Sequence, residues 1–162
     1  METKDTIKQS NDENLHKNKV HRILAHSYLF YFVSFLLGLF LDFMFPVEFY
    51  EKTIMVSIGT IFLIFGTFLI IWAQRSSHKL KKENMTKETF CNGPYRYTRS
   101  PTHFGLFFMM LGFGIVVNAL FVIIFTIISF FITKFIFIRK EEKILALKYG
   151  APYLEYKKSV KI

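Results

Sequence analysis

Cysteine is almost missing from this sequence. Cys91 stands alone, which excludes an internal disulfide framework and any cysteine-cluster metal centre. Charge is missing over long distances as well. Ile54–Ala73 is 20 residues with none, and Phe104–Ile138 is 35 residues with only Lys134. An ordinary water-soluble domain scatters apolar residues at core spacing, whereas blocks of this length make lipid the expected solvent for much of the chain. No cleavable leader is expected, because the first 22 residues are polar and mixed in charge and the first apolar run is long enough to stay in the bilayer. No internal repeat is evident, and 162 residues fit one domain.

What remains is apolar and basic. Hydrophobic residues make up 52% of the chain, 21 residues are Phe, and the net charge is +9. The Lys and Arg residues sit just outside the apolar blocks. Anionic headgroups and the positive-inside rule account for that placement, and nucleic acid is not an expected partner.

The expected fold is an all-α integral membrane protein with about four transmembrane helices. A polar amino-terminal segment, 1–22, lying on the surface or mobile, precedes a membrane domain, 23–162. The spans are expected at about 23–45, 54–73, 104–117 and 119–138. Pro46 closes the first, and the 20 residues of the second give about 30 Å of helix, matching the hydrocarbon core. The 35-residue block is too long for one crossing and suits a hairpin with a short first arm. Its turn is expected around Gly112–Leu120, where Gly112, Gly114 and Asn118 weaken a helix. Beyond it, RKEEKILALKYG reads as a charged helix stopped by Gly150, with Pro152 following.

Positive charge orders these spans. Five Lys/Arg lie in the amino-terminal segment, seven in 74–103 and eight from Lys134 onward. The 46–53 connection has one and the turn at Asn118 has none. The amino terminus, middle loop and carboxy terminus are therefore expected in the cytoplasm.

The segment GPYRYTRSPTHFG, Gly93–Gly105, is polar, basic and rich in turn residues where it enters the apolar block. Gly93-Pro94 suits a turn, Pro101 suits the first turn of a helix, and Arg96 and Arg99 suit phosphate anchors. Those readings leave Tyr95, Tyr97 and His103 unexplained. Aromatic faces, guanidinium groups and a helix start suit a small molecule with an adenine ring and a carboxylate. Glu141 and Glu142 follow the last span. As helical neighbours they point about 100° apart, so one can face a pocket and the other water. By itself such a pair among Arg139, Lys140 and Lys143 also suits a solvated membrane exit.

Two further features carry less. His16, His21 and His26 recur every five residues, about 140° apart on a helix, so they share no face for a metal. Asp42 lies within a span, where an ionisable residue is a functional candidate, but its nearness to Pro46 suggests a hydrated position at the outer interface.

In order and spacing these residues resemble the isoprenylcysteine carboxyl methyltransferase and phospholipid methyltransferase group of integral membrane enzymes, over roughly residues 60–156. Gly93-Pro94-Tyr95-Arg96-Tyr97 matches the group's GPY-R lead. Arg99-Ser100-Pro101-Thr102-His103-Phe104-Gly105 matches its Arg-His-Pro-x-Tyr-x-Gly motif. Glu141-Glu142, Leu145 and Tyr149-Gly150-Ala151-Pro152-Tyr153 match the tail, and Trp72-Ala73 fits the end of the second span. Ser100 stands where the group has histidine, and His103 where it has tyrosine. Serine still offers a hydrogen bond, and histidine can stack on a ligand or hydrogen-bond to it.

The resemblance implies S-adenosylmethionine as cofactor, held by Arg99, Pro101, Gly105, Glu141 and Glu142 in a site formed by the cytoplasmic loop and the carboxy-terminal helix. Tyr95, Tyr97, Ser100 and His103 are expected to complete the cofactor site. Arg99 and Glu142 are the expected catalytic residues. Tyr153 or Tyr156 is expected to close the mouth on the substrate side. The implied reaction moves a methyl group to a lipophilic acceptor drawn from the bilayer, such as a prenylated thiol or carboxylate or a phospholipid amine. Three alternatives stay open: a non-catalytic scaffold binding a lipid or a nucleotide-type ligand, a membrane reductase binding a nicotinamide cofactor, and a small transporter subunit.

Overall fold

In hydrocarbon a backbone must satisfy its own N–H and C=O groups, and apolar runs of this length do so as helices. The computed structural model describes residues 2–47, 52–77 and 90–160, with side chains described for 22–47, 54–77 and 90–160. Among the described residues there is no strand. Helix α1 runs Glu2–Met44 and α2 Lys52–Ser77. A 3-10 turn, η1, covers Gly93–Arg96, followed by α3 (Pro101–Val117) and α4 (Leu120–Ile132). A π-helical turn, Thr133–Ile138, joins α4 to α5 (Arg139–Tyr149), and α6 (Ala151–Ser159) ends the order. Arg22–Met44, Ile54–Ser77 and Leu120–Tyr149 are long and apolar enough to cross a membrane, while Pro101–Val117 is a shorter apolar helix. At 17 residues it spans about 25 Å. Large side chains such as Phe40, Phe43, Ile54, Ile64 and Phe68 are exposed on these helices, as suits lipid.

The backbone of the polar lead is helical from Glu2 and continues without a break into the first apolar run. The charged carboxy-terminal helix likewise extends the last apolar helix through the π turn rather than starting anew.

The hairpin turn is tighter than the sequence suggests. Asn118 and Ala119 make it; Asn118 has φ 59°, and its N–H reaches back to the carbonyls of Gly114 and Ile115. Gly112 and Gly114 stay inside α3. Their use, with Gly105, is close approach. A Cβ on Gly112 would sit 2.6 Å from the Gly59 carbonyl oxygen, and one on Gly66 would sit 2.7 Å from that of Gly105. Glycines seven apart on α2 therefore face glycines seven apart on α3, and the two antiparallel backbones touch, a packing membrane helices favour.

Asp42 is partly buried and is tied to the hairpin. Its carboxylate accepts the N–H groups of Phe121 (3.0 Å) and Val122 (2.9 Å). Those are two of the four N–H groups that the start of α4 leaves without an intrahelical partner. Asp42 thereby fastens the carboxy-terminal end of α1 to the hairpin.

Candidate functional site

The polar segment is set down at the end of α2. Gly93 has φ +59°, and an added Cβ would meet Ser76 and the Trp72 indole nitrogen, so only glycine allows the turn to lie against that helix. Pro94 is buried, and Ala73 beneath is fully buried. Chain direction then changes at Ser100, and Pro101 starts α3 at its first turn, where a missing N–H costs nothing.

This placement brings Arg99 onto Glu142 of α5, Nη1 to Oε1, at 2.8 Å. The other carboxylate oxygen, Oε2, meets Lys157 Nζ of α6, also at 2.8 Å. Glu142 is buried at 8% exposure. A carboxylate at that depth needs compensation by charge and hydrogen bonds, and it has a cation on each oxygen.

Beside the pair lies a cleft of about 190 Å³ lined by Arg99, Ser100, Phe104, Phe130, Lys134, Phe135, Ile138, Arg139 and Glu142. Phe104 and Phe130 meet edge to face at 5.2 Å, and the Arg139 guanidinium lies 5.2 Å over the Phe135 ring. Lys134, Phe135 and Ile138 all come from the π turn, a helix defect common at functional sites.

Of the residues expected at the site, Arg99, Ser100 and Glu142 line this cleft. Glu141 does not face water as its neighbour's counterpart. It is half-buried, close enough to act on the hydroxyls of Tyr28 and Tyr95, which share Thr102 as a neighbour. Burial, and then the Glu141 charge, pushes the Tyr95 hydroxyl up to about 12. Tyr97 is 69% exposed and joins no part of the cleft. Pro101 is buried as the helix start, and Gly105 faces Ile70 and Gly66 in the contact with α2.

His103 is buried at 2% exposure and turned toward α1. Its Nε2 lies 3.1 Å from Ser27 Oγ, and its ring lies beside Tyr28 and Tyr31. The Ser27 proton goes to the Leu24 carbonyl at 2.8 Å, so Nε2–H is the donor and Nδ1 keeps the lone pair.

Tyr153 and Tyr156 do not stand at a mouth. Both are buried with Phe90 and Val160, and the Tyr156 hydroxyl donates to the Tyr95 carbonyl at 2.7 Å. They clamp α6 onto η1, and burial pushes both hydroxyls well up from the usual tyrosine range. Their nearness is also what brings Lys157 to Glu142.

Phe104, Phe130, Lys134, Phe135, Ile138 and Arg139 were not foreseen at a site. One signal was available: Lys134 is the only charge in its apolar block, and a charge inside a span is a functional candidate by default. His26 is exposed, with its Nδ1 2.6 Å from the Arg22 carbonyl oxygen; among the described residues no group of three His, Cys, Asp or Glu could hold a metal. The side chains of His16 and His21 lie outside the described residues.

The donor set suits a zwitterionic nucleotide-type molecule. Three cations can meet a carboxylate, Glu142 can meet a positive centre, and three Phe rings can flank an aromatic base. The cleft is smaller than the roughly 300 Å³ of a small enclosed ligand pocket, so such a molecule would extend past its open side. Residues 53–152 match the phospholipid methyltransferase family. No curated protein and no solved structure matches the chain. With about two fifths of its length outside the match and its Arg99–Glu142 core inside it, the chain belongs to the phospholipid methyltransferase family.

Proposed function

We propose that this protein is a multi-pass membrane methyltransferase that takes its methyl group from S-adenosylmethionine and gives it to a lipophilic acceptor. The observation that carries the reading is the Arg99–Glu142 pair, which joins the GPYRYTRSP segment to the Glu-Glu helix at the edge of an aromatic cleft. Four spans, 23–45, 54–73, 104–117 and 119–138, with both termini and the middle loop in the cytoplasm, put this cleft at the cytoplasmic surface, in keeping with the Lys/Arg distribution.

When bound, S-adenosylmethionine supplies a methyl group on a positively charged sulfur. Arg99, Lys134 and Arg139 would hold its carboxylate, and Ser100 would add a hydroxyl. Glu142 would present negative charge to a positive centre. Phe104, Phe130 and Phe135 would flank a planar base and exclude water, which favours an in-line displacement when donor and acceptor are fixed together. Tyr95, kept protonated by its burial, lies near Glu141 and Thr102. Phe135 of the lining is exposed, which would let an acceptor from the bilayer approach the cleft there.

The experiment is calorimetry on detergent-solubilised protein with S-adenosylmethionine, S-adenosylhomocysteine and NADPH. Binding of the first two and not the third supports the reading; no heat with either of the first two ends it. Transfer of labelled methyl into a lipid extract then separates an enzyme from a binder. A binder without turnover is favoured by one observation: both oxygens of Glu142 are already occupied. In that case binding appears and labelled product does not.

A further inference from the structure

The outer side of α5 carries charge of one sign. Arg139, Lys140 and Lys143 are all exposed, and Leu147 beside them is 75% exposed. At about 100° per residue they fall within an arc of roughly 100°, and Glu141 and Glu142 lie outside it. Both acids are engaged elsewhere. Glu142 pairs with Arg99 and Lys157, which come from other elements, and Glu141 acts on the hydroxyls of Tyr28 and Tyr95. Among the described residues no ion pair joins Arg139, Lys140 or Lys143. Cations three and four residues apart on one helix face repel each other unless an anion lies between them.

The depth of this face follows from the helix below it. Together α4 and the π turn cover Leu120–Ile138, roughly 27 Å of helix, close to the thickness of the hydrocarbon core. The next turn, Arg139–Lys143, is therefore at headgroup level. Beneath it Phe131, Phe135 and Ile136 are exposed and apolar. These side chains stand in line with the cations. Phe131, Phe135, Arg139 and Lys143 follow one another at steps of four, as do Ile136 and Lys140, and the wider π turn keeps such steps on one side. The Arg139 guanidinium lies 5.2 Å over the Phe135 ring, so the apolar strip and the basic one meet. A strip of this kind is the complement of an amphiphile with acyl tails and an anionic head. Nucleic acid or an acidic soluble protein would match the cations and leave the exposed rings and Leu147 unmatched.

We propose that Arg139, Lys140 and Lys143 bind the head of an anionic phospholipid from the surrounding leaflet, with its acyl chains lying along Phe131, Phe135 and Ile136. A zwitterionic lipid brings a cation of its own to a face that already holds three, so net negative charge is what the face selects. The bound lipid stands beside the cleft, because Phe135 and Arg139 belong to both, while Lys140 and Lys143 are outside the cleft lining. It is a neighbour of the methyl-transfer site and not its acceptor, and it does not depend on the function proposed above.

The test uses full-length protein in phosphatidylcholine nanodiscs without S-adenosylmethionine, so that failure of the methyl-donor reading does not affect it. A trace of phosphatidylglycerol or of phosphatidylcholine, each with a diazirine on one acyl chain, is photolysed in parallel, and adducts are mapped by mass spectrometry. The expected result is at least roughly tenfold more phosphatidylglycerol than phosphatidylcholine adducts on residues 131–147, as the attraction of two or more cations to an anionic lipid implies. The Lys140→Gln/Lys143→Gln variant changes two exposed side chains. It is expected to lose most of that excess while its phosphatidylcholine adducts stay constant, which shows the helix still in place. Equal labelling by the two lipids overturns the proposal without recourse to any variant. An excess that the double variant leaves unchanged also overturns it, and assigns the anionic preference to the other Lys and Arg residues around the protein.

Discussion

Arg99 and Glu142 meet at 2.8 Å, although the whole apolar hairpin separates them in sequence. The pair closes the α3–α4 unit at its polar end, and Lys157 is added from α6. Glu142→Gln keeps the shape and leaves two cations facing a neutral amide. Affinity for S-adenosylmethionine is expected to fall at least roughly tenfold, as for loss of a charged hydrogen bond, with membrane insertion unchanged. Titration calorimetry reads the first and extraction from membranes the second. Lys157→Met should act in the opposite direction. Its side chain is 42% exposed, so stability is expected to move by less than about 1 kcal/mol, while the freed Oε2 raises donor affinity. An unchanged affinity in both variants would place the donor elsewhere.

Asp42 tests whether α1 depends on the hairpin. Asp42→Ala removes the acceptor of two N–H groups at the start of α4 and is expected to cost about 1–2 kcal/mol, the range of a lost helix cap. Asp42→Asn keeps one acceptor oxygen and should fall between the two. Thermal midpoints in a single detergent give the order wild type, Asn, Ala. If Ala and Asn are both equal to wild type, the two hydrogen bonds carry no net stability.

Gly66 and Gly112 are at the contact of α2 with α3. Gly112→Ala places a methyl 2.6 Å from the Gly59 carbonyl oxygen and 2.7 Å from the Leu63 nitrogen. Backbone cannot yield as a side-chain tip does, so a loss of about 1–3 kcal/mol is expected. Gly150→Ala is a useful contrast: its Cβ would meet nothing within 4 Å, but φ +60° strains any other residue. Its cost is therefore conformational rather than steric, about 1 kcal/mol. Thermal unfolding of both variants, together with cross-linking between α2 and α3, separates the two causes: only Gly112→Ala should push the helices apart.

How far these features were legible depended on whether they are local. Gly150 as a stop, Pro101 as a helix start and the shortness of the first hairpin arm each rest on one residue's backbone chemistry or on length, and all are present in the structure. The partners of Gly105, Gly112 and Asp42 lie on other helices. A glycine that weakens a helix and a glycine that admits another backbone look the same in one dimension, which is why Gly112 reads as a turn and serves as a contact. Tyr153 and Tyr156 show the same limit: aromatic residues beside a motif can touch a ligand or clamp a helix, and only the position of Phe90 decides. The π turn at Thr133–Ile138 leaves no mark in an unbroken apolar run, so the cleft residues it supplies were invisible apart from the charge of Lys134.

The tyrosines that clamp α6 onto η1 make a prediction about alkaline pH. Tyr95 is held protonated up to about 12, against an ordinary value of 10.0, chiefly by burial and next by Glu141. Tyr153 and Tyr156 are shifted in the same direction. All three lie outside the membrane spans. In the unfolded chain these hydroxyls lose protons near pH 10, whereas the folded protein keeps them. Between those limits the unfolded state binds fewer protons, so stability falls as pH rises. It is fully present below about pH 10 and is lost as pH rises through the Tyr95 value of about 12. Thermal midpoints measured from pH 8 to 12 should therefore be flat at first and then decline. Tyr95→Phe removes one titrating group and should make the decline shallower. Tyr156→Phe removes a group and also the 2.7 Å bond to the Tyr95 carbonyl. It should lower the plateau by about 1 kcal/mol while also flattening the slope. A decline of identical slope in wild type and both variants would remove these tyrosines as its cause.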